Sequence, residues 1–163
     1  MVCRENIELL SRYSKDELSV EQCAIGMLRL PVFLKGSKWE PESISSKKIR
    51  EWISNKDLVA KAIAAFELKY STTELNRFID QALAKAQEYL PNGQKVSTNI
   101  YVAFMDEDIG GITYEDIAIN IIWLNHFDKK AIIGLLAHEI HHSAFFSMNS
   151  WRGTTIEGTM SST

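Results

Sequence analysis

The chain has 163 residues, a hydrophobic share of 45% and a formal net charge of −3 at neutral pH. This composition is typical of a globular protein and excludes a disordered chain, and the charge offers no basic surface for nucleic acid. The sequence has no run of about eighteen apolar residues and no signal peptide, so we predict a cytoplasmic protein without a membrane span. We expect residues 1–163 to form a single domain, and no pattern predicts the oligomeric state.

Residues 1–90 are predicted to form a helical N-terminal part. Two capping-box patterns, Ser14-x-x-Glu17 and Ser71-x-x-Glu74, each precede an amphipathic run. The polar segment 36–46 predicts a loop, and Pro91-Asn92-Gly93 ends the last helix. The predicted helices cover residues 4–13, 17–30, 46–55, 57–70 and 73–89.

Cys3 and Cys23 are the only two cysteines of the chain. Their spacing matches neither a zinc site nor a redox motif. We expect two free thiols, and a disulfide between two N-terminal helices is the alternative.

The part of the chain after residue 95 is richer in strand-forming residues. β-branched and aromatic side chains dominate residues 99–104 and 117–124, which predicts two strands. Gly110-Gly111 predicts a turn between them, and residues 112–114 predict a short third strand. The fold class is therefore α+β, in which N-terminal helices precede a small sheet that packs on a final helix.

That final helix is predicted for residues 129–148, with Asp128 as its N-cap, and it contains the pentad H-E-x-x-H at 138–142. Residues i and i+4 lie on one face of a helix, so His138 and His142 can bind one zinc ion. Glu139 is turned roughly a quarter-circle away, where a carboxylate can act as the general base toward a zinc-activated water. The alternative is that the two histidines are ordinary, partly buried residues of the helix.

Two further histidines, His141 and His126, and one later glutamate, Glu157, are candidates for the same site. His141 points away from the face of the two proposed ligands, and we expect it to be solvated. His126 is expected in a loop before the helix. A catalytic zinc usually has a third protein ligand, and Glu157 is the only acidic residue after His142. Glu157 is therefore the candidate third ligand, and the alternative is a glutamate that only favours the first turn of a new helix.

The segment Leu135-Leu136-Ala137-His138-Glu139-Ile140-His141-His142, followed by Ile156-Glu157-Gly158, resembles zincin-like metallopeptidases of the gluzincin type. It is similar, more narrowly, to bacterial zinc-dependent peptidases with a His-Glu-x-His-His signature. The strongest match covers about residues 95–158. The resemblance implies zinc on His138, His142 and Glu157, Glu139 as general base, and a peptide or protein substrate that pairs with an edge strand.

The catalytic core would then comprise residues 95–163, and we expect it to be incomplete at the C-terminus. In such families the helix of the third ligand continues into further helices, whereas this sequence ends at Thr163.

Two other functions stay open at this stage. One is a non-catalytic, degenerate zincin or a helical interaction module that binds metal or a partner without turnover. The other is a zinc amidase, which uses the same metal chemistry on another substrate. A peptidase also needs an oxyanion stabiliser besides zinc, and the nearby candidates are Tyr114, His126 and Arg152.

Overall fold

The structure is a computed structural model that describes residues 2–91, 94 and 96–150, with side chains through residue 146. Its described part contains eight helices and four strands. The helices are α1 (Glu5–Ser14), α2 (Val20–Leu28), α3 (Pro31–Trp39), α4 (Ser46–Trp52), α5 (Lys56–Lys69), α6 (Thr72–Gln87), α7 (Ile121–His126) and α8 (Lys129–Ser150). The strands are β1 (Val2–Cys3), β2 (Ile100–Ala103), β3 (Gly111–Tyr114) and β4 (Asp116–Asn120).

The α+β fold class is confirmed, and the sheet is small and mixed. Its strand order is β1-β2-β4-β3, with β1, β2 and β4 parallel and β3 antiparallel to β4 at one edge. Every residue of β2 is buried, as expected for a strand inside a sheet that is covered on both faces. The sequence analysis did not predict β1, because two residues are too short to show an alternating pattern.

The predicted helix 17–30 is shorter in the structure, where α2 ends at Leu28, and the predicted loop 36–46 is confirmed only for residues 40–45, because α3 continues to Trp39 and α4 begins at Ser46. Pro31 is the first residue of α3, and Leu30 before it is extended, since proline disfavours a helical conformation in the residue that precedes it. Gly36 lies inside α3, where a Cβ atom would come within 2.5 Å of Ile44 Cδ1. This glycine therefore allows close packing and does not mark a loop.

One of the two predicted capping boxes is confirmed. Ser71 and Glu74 form the reciprocal box that begins α6. The Ser14 pattern is wrong, because Ser14 ends α1 and its hydroxyl donates to the carbonyl of Ser11. The box at the start of α2 is formed by Ser19 and Gln22 instead.

The predicted strand 117–124 is corrected at Asn120, where β4 ends and α7 begins. The Asn120 side chain is fully buried, and its Oδ1 accepts hydrogen bonds from the backbone N–H groups of Ile122 and Met105. Asn120 therefore caps α7 and is also the last residue of β4. His126, predicted in a loop, is the last residue of α7.

The helix α8 lies between α6 on one side and the strands β3 and β4 on the other. It begins as predicted, since Asp128 Oδ1 accepts a 2.8 Å hydrogen bond from the backbone N–H of Ala131. Cys3 and Cys23 are free thiols, as predicted. Among the residues described, none of the helices combines the length and the hydrophobicity that a bilayer span requires.

Candidate metal centre

His138 and His142 lie one turn apart on the exposed surface of α8. Their Nε2 atoms are 2.9 Å apart, and the two rings are nearly perpendicular, with an interplanar angle of 88°. Two nitrogens bound to one tetrahedral zinc at about 2.0–2.1 Å would lie roughly 3.3 Å apart. The two imidazoles are therefore hydrogen-bonded to each other on one face of α8, and their separation is somewhat shorter than that of two ligands of one zinc. The two nitrogens are candidates for a pair of zinc ligands.

Glu139 lies against the edge strand β3 and is only 7% exposed. Its carboxylate oxygen Oε2 accepts a hydrogen bond from the Thr113 hydroxyl. Gly111, at the start of β3, lies so close that a Cβ atom there would be 3.0 Å from Glu139 Cδ. The edge strand thus holds the carboxylate by one hydrogen bond and one close backbone approach.

The carboxylate and one of the histidines share a cavity. A space of about 290 Å³ is lined by Gly111, Thr113, Glu139 and His142, together with Phe145 and Phe146. Glu139 is therefore largely buried in the protein and yet lines the same space as a candidate metal ligand.

The turn between β3 and β4 is tied to the helices on either side. Glu115 in this turn has a left-handed φ of 73°, and its carbonyl accepts a hydrogen bond from Ser143 of α8. Its carboxylate pairs with Lys35 of α3. Because Thr113 is two residues earlier, these bonds also set the position of the strand beside Glu139.

Two of the three oxyanion candidates, Tyr114 and His126, lie in the described part of the chain. Burial, and then a hydrogen bond to the Glu40 carboxylate, raise the pKa of the Tyr114 hydroxyl, which is directed toward α3. His126 lines a different cavity with Leu58 and Phe104. Arg152 lies outside the described residues. Neither described candidate lines the cavity that holds Glu139.

His141 is exposed, as predicted, and lines a second space together with the two candidate ligands. This groove of about 410 Å³ runs between α6 and α8, and both His138 and His142 line it. His142 therefore lines two spaces, the cavity of Glu139 and this groove, whereas His138 lines only the groove among these two.

The third ligand is not tested by the structure. Glu157 lies outside the described residues. Within the described ranges, no group of three or more His, Cys, Asp or Glu side chains is arranged to hold a metal ion. Glu157 stays a prediction.

Thr113 and Gly111 are the two residues of the site that the sequence analysis missed. It assigned Gly111 to a turn and residue 113 only to a short strand. The double glycine before a β-branched run was the available signal, but sequence alone does not show that this strand lies at the sheet edge next to the helix.

A comparison with protein families gives one match, which extends from residue 6 to residue 155. The matching family is described as "Putative zinc dependent peptidase (DUF5700)". The chain belongs to this family. The DUF5700 match includes the N-terminal helices, and so extends well beyond residues 95–158, where the resemblance seen in the sequence is strongest. No curated protein and no solved structure matches the chain.

The DUF5700 match ends two residues before Glu157 and therefore does not bear on that residue. The family description names zinc and peptidase activity together, which agrees with the coarse function that the pentad predicts. It does not assign residues or a mechanism.

Proposed function

We propose that this protein is a zinc-dependent metallopeptidase of the zincin, gluzincin-like type. His138 and His142 would hold the zinc, Glu157 would be the third ligand, and Glu139 would be the general base. The observation that carries the proposal is the arrangement on α8, where two imidazole nitrogens converge at 2.9 Å and the adjacent carboxylate lines a cavity with one of them.

Zinc bound at the two histidines would polarise the scissile carbonyl and lower the pKa of a bound water to about 7. Glu139 would accept the proton of the attacking water and would then pass it to the amine that leaves when the C–N bond of the peptide breaks. Oε2 of Glu139 already accepts a hydrogen bond from the Thr113 hydroxyl, so we assign the proton transfer to Oε1. The hydrogen bond also keeps the carboxylate in one orientation before substrate binds.

The edge strand β3 is the proposed docking site for the substrate backbone. It pairs with β4 on one side, and Thr113 and Gly111 connect it directly to Glu139. An extended peptide that adds to the outer side of β3 would pass beside the carboxylate, and its main-chain groups would pair with those of the strand.

The experiment compares wild type with His142→Ala, Glu157→Ala and Glu139→Gln for bound zinc and for hydrolysis of a peptide library. We expect about one zinc per chain in wild type, its loss in His142→Ala and weaker binding in Glu157→Ala. Glu139→Gln should keep the zinc and lose about 10²- to 10⁴-fold in hydrolysis.

Other results would point elsewhere. A folded wild-type protein without bound zinc would contradict the proposal. Zinc bound through the histidines, with no hydrolysis of any peptide, would favour a degenerate zincin that binds metal or a partner. Hydrolysis of small amides but not of peptides would favour an amidase.

A further inference from the structure

Gly134 lies one turn before His138 on α8 and differs from the other glycines for which the structure gives surroundings. A Cβ atom at Gly134 would have no heavy atom of the described residues within 4 Å, whereas at Gly36 and Gly111 the nearest atoms lie at 2.5 and 3.0 Å. Glycine inside a helix is destabilising relative to alanine. Packing within the described part of the protein does not account for this glycine, so the space beside it requires another explanation.

That space is the groove of about 410 Å³ between α6 and α8. Gly134 lines it together with two small, buried side chains, Ala86 and Ala137. Tyr89, which follows α6 and is 73% exposed, contributes a large aromatic surface. The groove is therefore mostly apolar, and its volume lies within the range of about 300–1,000 Å³ that is usual for ligand pockets.

The groove is continuous with the candidate metal centre, because His138 and His142 belong to its lining. His142 also lines the cavity of Glu139. A peptide whose reacting bond lies at the two histidines would thus bring a neighbouring side chain to the opening of the groove.

The charges of the lining restrict which side chains can enter. Lys85 is the only Lys, Arg, Asp or Glu residue among the lining residues given by the described part of the chain. Its ammonium group would repel a lysine or arginine of the substrate, while its methylene stem adds apolar surface. An aliphatic or aromatic side chain meets apolar surface without this repulsion.

We propose that this groove is the specificity pocket for a bulky apolar side chain next to the scissile bond, and that Gly134 sets the size of the side chain that is admitted. The inference rests on the proposed peptidase function and adds the substrate class to it. An added Cβ atom at position 134 would meet no described heavy atom within 4 Å, so a side chain there would begin in open space at the groove.

The test measures binding of three hydroxamates to the zinc-loaded protein by calorimetry, so it does not depend on turnover. Acetohydroxamate, 4-methylpentanohydroxamate and 3-phenylpropanohydroxamate share a zinc-binding head group and differ only in their apolar part. In wild type the phenyl compound should bind at least about 10-fold more tightly than acetohydroxamate, as expected when several apolar groups enter a pocket.

Gly134→Leu should reduce this affinity ratio to within about twofold, with zinc content and acetohydroxamate binding unchanged. The ratio for Gly134→Ala should lie between those of wild type and Gly134→Leu. Ala65→Leu is the matched control, because it adds the same side chain at an exposed position of α5 and should keep the wild-type ratio. Equal affinities of the three hydroxamates in wild type would overturn the inference, as would an unchanged ratio in Gly134→Leu. Failure to bind zinc would instead overturn the proposed function and the inference with it.

Discussion

The two sides of α8 differ in how closely the rest of the protein packs on them. Toward the sheet, Glu139 is 7% exposed, hydrogen-bonded to Thr113 and in close approach to Gly111. Toward α6, His138 and His142 are exposed and line an open groove. The packed side can hold a carboxylate in one orientation, while the open side leaves nitrogen atoms accessible to a metal ion and a ligand.

The difference shows how one helix can meet two opposite requirements. A general base needs a fixed position, which burial and hydrogen bonds supply while they reduce its exposure to solvent. Metal ligands must be reachable by a metal ion and by the substrate, and close packing would block both. Successive residues of a helix point about 100° apart, so the proposed ligand at position 138 and the proposed base at position 139 could each meet its own requirement.

The largest effect is expected at Asn120, where β4 ends and α7 begins. Its Nδ2 donates to the carbonyls of Asp106 and Ile109 at 2.8 Å, and its Oδ1 accepts from two backbone N–H groups. Asn120→Ala leaves several buried groups unpaired, so we expect the free energy of unfolding to fall by about 3–5 kcal/mol in urea titrations. Asn125→Ala, which removes one hydrogen bond to Ala62, is the control and should cost about 1 kcal/mol.

Alkaline pH should destabilise the buried body of the protein through groups that fold in their neutral form. Burial raises the pKa of the Cys23 thiol from 9.0 to about 11, and burial likewise raises the pKa of Tyr70 and Tyr101 to about 12. Above pH 9 the unfolded chain loses the Cys23 proton while the folded protein keeps it. Stability should therefore fall between pH 9 and 11, by at most about 1.4 kcal/mol per pH unit for this thiol.

Urea unfolding at several pH values checks this dependence, with Cys23→Ala as the comparison. The variant loses packing at every pH, but its stability should decline less steeply between pH 9 and 11. If the unfolding free energy declined equally steeply with pH in wild type and in Cys23→Ala, the thiol would not contribute to the alkaline loss of stability. Below pH 9 the thiol is neutral in the folded and the unfolded chain, so we expect Cys23 to add no pH dependence to the stability.

Much of the helical part could be predicted from the sequence because its signals are local. The Ser71-x-x-Glu74 box, the Asp128 cap and the i, i+4 spacing of the two histidines each depend on neighbouring residues alone. Such short-range patterns specify a helix end or a helix face without knowledge of the rest of the fold.

The errors arise where long-range contacts decide the structure. Seven of the eight residues 117–124 are apolar, so their pattern does not show that Asn120, buried in the folded protein, divides them into a strand and a helix. Gly36 and Gly111 resemble loop or turn residues, but each permits a close approach by a distant side chain. The role of Thr113 depends on the position of β3 at the sheet edge, which is a property of topology.

Gly111→Ala tests whether the packed side fixes Glu139. The added methyl group would lie 3.0–3.1 Å from the Glu139 side chain, so either the carboxylate or the strand must move. We expect a loss of about 1–3 kcal/mol in unfolding free energy and a loss of peptide hydrolysis, with zinc binding at the histidines retained. Thermal unfolding, zinc analysis and peptide assays on one preparation separate the three effects, and unchanged hydrolysis would show that Glu139 tolerates displacement.

Gly134→Ala is the matched change on the open side, and its effect should be the smallest and of opposite sign. No described atom lies within 4 Å of the new methyl group, and alanine favours a helix interior over glycine by about 0.5–1 kcal/mol. The melting temperature should therefore rise while that of Gly111→Ala falls, although both variants replace glycine by alanine within one site. A fall in both would mean that the groove side of α8 is packed as closely as the sheet side, and the distinction between fixed base and accessible ligands would be lost.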